Sequence, residues 1–174
     1  GWDQGRAQRD GGFLAAGSGN DELALSYFNG TDLPIYRALA LAFTSCDRAH
    51  ASVLGPTWPN REYMLSGQSG GLKDNSYPTG DGFPWATIID RLRAAGVSVR
   101  NYYSDMPMSL LFGSRMVPVI RPMEHFAADA ADGTLPQVSY IDPSFVGAER
   151  SDDHPLGDPR AAQRFVLNAY RAFV

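Results

Sequence analysis

The sequence predicts an α/β fold built on a mostly parallel sheet, and two helix-to-strand successions and a further helix carry that prediction. An amphipathic segment opens at Phe83-Pro-Trp85, with Ile88, Ile89, Leu92 and Ala95 on one face and Asp90, Arg91 and Arg93 on the other. It stops at Gly96, and the alternating stretch from Val97 to Tyr103 follows as a strand. A second helix, Glu124 to Ala131, ends at Asp132-Gly133 and precedes a strand from Leu135 to Asp142 that Pro143 terminates. A third begins at Asp158-Pro159 and places Ala162, Phe165, Val166, Ala169, Tyr170 and Phe173 on one apolar face. Helix, glycine, strand is the second half of a crossover unit, and crossover units join parallel strands.

The other elements follow in order. Residues 1–30 are rich in Gly, Asp, Arg and Ser and predict an irregular opening segment with one short helix between Asn20 and Asn29. Thr31-Asp32 reads as a cap and Pro34 as a first-turn residue of an apolar helix running toward Cys46. Such a helix, apolar nearly all round, is expected to be internal, with Cys46 as a small buried filler. Gln68 to Gly82 is dense in turn formers and is assigned to loop, either walling a site or making a surface excursion. Asp105 to Pro122 holds several prolines and predicts only a short helix near Ser109 to Phe112; Ser144 to Gly157 is a polar loop. Residues 1–174 read as part of one domain, with 31–174 as its α/β portion.

Bulk properties exclude several classes. The 174 residues can bury a substantial core, and one cysteine cannot form an internal disulfide. A net charge of −4 with scattered arginines, and Lys73 as the only lysine, argues against a nucleic-acid partner. No stretch approaches a membrane span and no signal peptide is recognised; the start at Gly1-Trp2 leads to the expectation that an upstream segment was removed.

The most informative run is Ser52-Val-Leu-Gly-Pro-Thr57-Trp-Pro-Asn60-Arg61-Glu-Tyr-Met-Leu-Ser-Gly67. Gly55-Pro56 closes what precedes it, Thr57 reads as an N-cap, Pro59 falls where a missing N–H costs nothing, and Gly67 stops the helix. The positive end of a helix favours an alkoxide or a phosphate group, although a threonine in this position most often only caps. Asn60 lies about one turn beyond Thr57, so its amide can donate to a phosphoryl oxygen or pin the turn. Arg61 is read as a structural ion pair.

The wording of this run closely resembles the nucleophile segment of the phosphoesterase family that includes bacterial phospholipases C and related acid phosphatases, within the alkaline-phosphatase-like superfamily. Its Thr-aromatic-Pro-Asn core also resembles the nucleophile turn of nucleotide pyrophosphatases there. Ala42-Phe-Thr-Ser-Cys-Asp-Arg-Ala-His50 is similar to the family's approach to that segment. Gly133-Thr-Leu-Pro-Gln-Val-Ser-Tyr-Ile-Asp-Pro143 and Asp152-Asp153-His154-Pro155 are similar to later runs, in the family's order.

The resemblance implies a three-layer sandwich, incomplete in this chain, that hydrolyses a small-molecule or lipid phosphoester through a phosphothreonine on Thr57. Both phospholipase C and acid phosphatase activities stay open. It further implies a divalent metal with Thr57 among its ligands, His154 contacting phosphate or serving as general acid, and a secreted, periplasmic or envelope location. His50 is read as an outer-layer or helix-end residue and His125 as surface. Asp152 and Asp153 are assigned capping or loop roles, because the family's acidic metal ligands lie in a Glu-Asn pair and a later Asp-rich His-Gly-Gly segment, neither of which occurs here. The chain is therefore expected to be the nucleophile-bearing portion of a larger enzyme, completed by the rest of its polypeptide or by another chain. The alternative is a binding or assembly module that keeps the fold without a metal site.

Overall fold

A computed structural model describes residues 1–155 and 157–174. The chain forms two compact units, one of Gly1–Asn29 with Thr44–Tyr77 and the other of Gly30–Phe43 with Pro78–Val174.

The first unit is helical. Helix α1, Trp2–Gly11, replaces the irregular opening expected of this region. Trp2, Gln4, Arg6, Ala7, Gln8 and Arg9 have adequate helix propensity without any apolar stripe, so periodicity does not reveal them. The helix buries none of its residues and ends at Gly12, whose φ of 93° suits glycine alone. Gly5 has a packing role, since a Cβ there would come within 3.1 Å of the Leu54 carbonyl oxygen. The expected short helix is a 3-10 turn, Glu22–Leu25, capped by the Asp21 side chain. Cys46 is exposed in an irregular segment and not a buried filler. Helix α3, Thr57–Ser66, closes at Gly67 in the left-handed conformation, φ 72°, as the sequence indicates.

The second unit holds the sheet. Three parallel strands, β1 Val99–Tyr103, β2 Ile120–Pro122 and β3 Val138–Asp142, lie in the order β2-β1-β3. In register, Asn101 stands beside Ile120 and Tyr140, and Tyr103 beside Pro122 and Asp142. With helices α4 Ile88–Ala94, α5 Phe126–Ala131 and α6 Pro159–Phe173, this is the α/β class expected, consistent with part of an alkaline-phosphatase-like sandwich. Helix α4 begins at a reciprocal cap: Thr87 Oγ1 accepts from the Asp90 N–H, and Asp90 Oδ2 accepts from the Thr87 N–H and hydroxyl. Gly96, φ 74°, turns the chain into β1. Strand β2 escaped the sequence because it is three residues long, preceded by a 3-10 turn Ser114–Val119 that contains Pro118.

Strand β1 is central, and its Tyr102, together with Ile89, Phe112, Met116, Val119 and Phe126, forms the core. The fully buried Tyr102 donates its hydroxyl to Asp129 Oδ2 at 2.6 Å, and Arg121 reaches both oxygens of the same carboxylate. Burial first, and then that bond, push the Tyr102 phenol up to about 12.

Helix α2, Pro34–Ala42, starts at Pro34 as expected but has Leu33, not Thr31 or Asp32, at its N-cap, and it buries none of its residues. The prediction of an internal helix fails here. It meets α6 through Gln163, which accepts the Ile35 N–H and donates to the Asp32 carbonyl, and through its C-cap Phe43, edge-on to Tyr170 with centroids 6.0 Å apart, while Leu41 stays 74% exposed. An apolar composition reports a tendency to be covered, and among the described residues this helix meets little hydrocarbon.

Candidate active site

Thr57 is the first residue of α3; the N-cap position belongs to Pro56, one residue earlier than the sequence indicates. Pro56 has extended geometry, φ −73° and ψ −172°, and no donor or side-chain acceptor, so the helix start is satisfied from elsewhere. Asn75, in the long polar loop, accepts the Trp58 N–H at 3.0 Å. Pro59 has no N–H to satisfy. The same loop packs Tyr77 edge-on against Trp58, ring centroids 4.7 Å apart, and passes its Lys73 carbonyl so close to Gly55 that a Cβ there would lie 3.0 Å from it. The loop therefore folds back on the start of α3 and is not a free excursion.

The Thr57 turn is held from within by Asn60. Asn60 Oδ1 accepts the Val53 N–H at 3.0 Å, and its Nδ2 donates to the carbonyls of Val53 (3.1 Å), Pro56 (3.1 Å) and Gly55 (3.4 Å). A single side chain thus satisfies four backbone groups of the segment that delivers Thr57, which is left partly exposed. Of the two readings open for Asn60, pinning the turn is the one its contacts describe.

One buried group on this helix has no counterpart in the sequence analysis. Glu62 is 1% exposed, and neither carboxyl oxygen has a hydrogen-bond partner among the described residues. Burial, with the Asp74 charge adding to it, pushes its carboxyl up to about 7.

His154 belongs to the second unit, in the loop that follows β3. That loop is tied to the carboxyl ends of β1 and β3. Asp105 Oδ2 accepts from the Ser144 hydroxyl (2.8 Å) and from the N–H groups of Phe145 (2.8 Å) and Val146 (3.1 Å). Burial works against the Asp105 charge, but these bonds outweigh it and hold the carboxyl below the usual range. The Ser144 carbonyl accepts the N–H groups of Ser151 (3.0 Å) and Asp152 (3.2 Å). Beneath it, Asp142 Oδ2 accepts from Asn101 Nδ2 (2.9 Å) and the Met108 N–H (3.0 Å) at the end of the sheet.

Within the loop, Asp152 is 5% exposed and its Oδ2 meets His154 Nδ1. Phe145 stands edge-on to the imidazole, centroids 6.5 Å apart, and the His154 side chain is 48% exposed. Asp153 accepts the Tyr36 hydroxyl at 2.8 Å. The Asp-x-His spacing was the available signal for the Asp152 contact, although a two-residue spacing does not fix a loop geometry. His50 is exposed, and His125 lies 3.7 Å from Glu124 on the surface.

Thr57 and Asn60 thus share one turn of the first unit, while His154 sits at the sheet end of the second. Among the described residues no three His, Cys, Asp or Glu side chains come together where they could hold a metal ion. A cavity of about 430 Å³ in the second unit is lined mostly by hydrocarbon, including Leu39, Phe126, Ile141, Val166 and Phe173, with Gln137 and Ser139 beside them, and Thr57, Asn60 and His154 do not line it.

Residues 1–174 match the phosphoesterase family over the full length of the chain. The chain belongs to the phosphoesterase family. Its relatives include plant and bacterial proteins. It is 35% identical over 160 residues to non-specific phospholipase C1 of Arabidopsis thaliana, with 84% of this chain and 29% of that protein covered. It is 41% identical over 200 residues to the hemolytic phospholipase C of Pseudomonas aeruginosa, covering 86% of this chain and 27% of that protein. With phospholipase C B of Mycobacterium tuberculosis the identity is 30%, over 88% of this chain and 34% of that protein. The chain therefore spans about a third or less of the length of these relatives. No helix among the described residues is long and apolar enough to cross a membrane.

Proposed function

We propose that this chain is the nucleophile-bearing portion of a phosphoester hydrolase of the phospholipase C or acid phosphatase type. The observation that carries the reading is the family match over residues 1–174, joined to a partly exposed Thr57 at the first turn of a ten-residue helix. Thr57 Oγ1 releases its proton to solvent and attacks phosphorus, the bond to the leaving oxygen breaks, and water then hydrolyses the phosphothreonine, its oxygen going to phosphate while the Thr57 oxygen regains a proton. The helix start favours the negative charge that gathers there, and Asn60 keeps the turn from relaxing. His154 supplies a proton to the leaving oxygen. Each role is assigned on local geometry, because the two residues lie in different units.

A divalent metal belongs to the same proposal. The described residues do not by themselves form a site for one, so with Thr57 as one ligand the remaining donors come from the rest of the polypeptide or from another chain. The substrate is a small-molecule or lipid phosphoester, and the enzyme works outside the cytoplasm or at the envelope.

The test is nitrophenol release from p-nitrophenyl phosphate and p-nitrophenylphosphorylcholine by the intact polypeptide that carries this chain, with and without divalent metal. Thr57→Ala is expected to lower turnover by roughly a thousandfold or more, and phosphate trapped by acid quench should map to Thr57 by mass spectrometry. Turnover unchanged in Thr57→Ala discards the nucleophile. Absence of turnover under every condition supports the binding or assembly module instead.

A further inference from the structure

The loop after β3 contains a carboxylate whose placement the capping role assigned from the sequence does not account for. Asp152 is buried, and its Oδ2 is taken by His154 Nδ1. Its Oδ1 has no hydrogen-bond partner among the described residues and faces the Arg150 guanidinium, Nε at 3.7 Å. A carboxylate removed from water is stabilised only by cationic or hydrogen-bonding neighbours. Here those neighbours are one imidazole and one arginine, both from the same loop.

The loop holds this geometry without help from the imidazole. Ser144 fixes Ser151 and Asp152 through its carbonyl, its own N–H donates to Ser151 Oγ at 3.1 Å, and its hydroxyl is bound to Asp105. On the far side, Arg150 Nη2 donates to the Pro155 carbonyl at 2.9 Å and the Gly157 N–H donates to the His154 carbonyl at 2.9 Å. Gly157 approaches so closely that a Cβ there would lie 2.9 Å from that carbonyl oxygen. The carboxylate is thus placed by a braced backbone, while the ring it grips is about half exposed.

We propose that Asp152 is a positioning residue that holds His154 by Nδ1, keeps the proton of the neutral imidazole on that nitrogen, and leaves Nε2 as the nitrogen that exchanges a proton with substrate. A neutral imidazole has one donor and one acceptor nitrogen, and a carboxylate on one side dictates which is which. The charged groups facing the ring from the loop are Asp152 and, through it, Arg150. Protonated at both nitrogens, His154 gives the Nε2 proton to the leaving oxygen and returns to the Nδ1–H form, and the water that hydrolyses the phosphothreonine gives a proton back to Nε2, which closes the cycle. The inference rests on the proposed role of His154 in catalysis, and its experiment separates the two.

In this chain labelled with ¹⁵N, the imidazole of His154 should show Nδ1 as the protonated, pyrrole-type nitrogen at alkaline pH. Asp152→Ala should move the proton to Nε2, the form preferred by a histidine without such a partner; Asp152→Leu, which keeps the size without offering an acceptor, serves if Ala disturbs the loop. Arg150→Met leaves Asp152 in place and should keep the wild-type tautomer. In the intact polypeptide, Asp152→Ala should lower kcat by about ten- to a hundredfold with KM little changed, and His154→Ala should lower it at least as far. An Nε2–H tautomer in the unmutated chain, or one unaltered by either Asp152 variant, overturns the inference. So does a changed tautomer with unchanged kcat where His154→Ala is slow. Full activity in His154→Ala removes the proton-transfer role itself and the inference with it, while leaving Thr57 untouched.

Discussion

Glu62 makes the stability of the unit that carries Thr57 depend on pH, and the dependence can be calculated. The residue is 1% exposed on α3 without a hydrogen-bond partner for either carboxyl oxygen among the described residues. Burial, then the Asp74 charge, raise its carboxyl from 4.5 to about 7. The folded protein therefore holds this proton more tightly than the unfolded chain does. Stability is undiminished below pH 4.5 and is lost as pH rises through the window between 4.5 and about 7. At about 1.4 kcal/mol per tenfold change in proton affinity, the loss approaches about 3 kcal/mol above neutral pH, of which about 2.5 kcal/mol falls between pH 5 and 8. Glu62→Gln cannot titrate. Its own unpaired amide adds a cost that is the same at every pH, so the informative quantity is the difference in pH slope between wild type and variant. Urea unfolding at half-unit steps from pH 5 to 8 should show the wild type losing that much more than Glu62→Gln, and Asp74→Asn should shrink the gap. Parallel curves for wild type and Glu62→Gln would mean that the carboxyl finds water or a partner in solution, and the argument from burial would fail.

Two further outcomes follow from the same geometry. Asn60→Ala frees four backbone groups around Val53 and Pro56 and should cost about 1–3 kcal/mol in urea unfolding; in the intact polypeptide it should also slow turnover, because Thr57 loses its fixed presentation. Thr87→Ala removes the cap of α4 and should cost about 1–2 kcal/mol, read as a lower unfolding midpoint, with nitrophenol turnover at low temperature unaffected.

What could be read from the sequence divides along physical lines. Helices α4 and α5 and strands β1 and β3 announce themselves because local signals agree, a terminal glycine and an alternating run that follows within a few residues, and α6 does so by Asp158, Pro159 and its apolar stripe. Gly96 and Gly133, both at positive φ, are the clearest of these, since a left-handed residue between helix and strand leaves few alternatives. Helix α1 shows the opposite case. It buries none of its residues, so nothing in its pattern marks a face, and propensity alone distinguishes it from a loop. Helix α2 was legible as a helix and illegible as to burial, because composition states what a segment prefers and only packing decides what it receives.

The site shows the same division more sharply. The turn that holds Thr57 and Asn60 was legible as a helix start because its signals are local: four residues of one helical turn, a fixed spacing and a closing glycine. Asn75, Glu62 and Asp152 were not, since each acquires its role from a chain return that no spacing encodes. Asn75 caps α3 only because the 68–82 loop comes back to Trp58. Asp152 reaches His154 only because Ser144 and Asp105 have already set the loop against the ends of β1 and β3. A motif can be written in one short stretch of sequence, whereas the contacts that surround its residues, or those of His154, are made when separate segments of each unit return to one another. That is the physical reason the candidate chemistry of this chain is most visible at Thr57, and the reason the Asp152 and Glu62 variants test the structure where the sequence is silent.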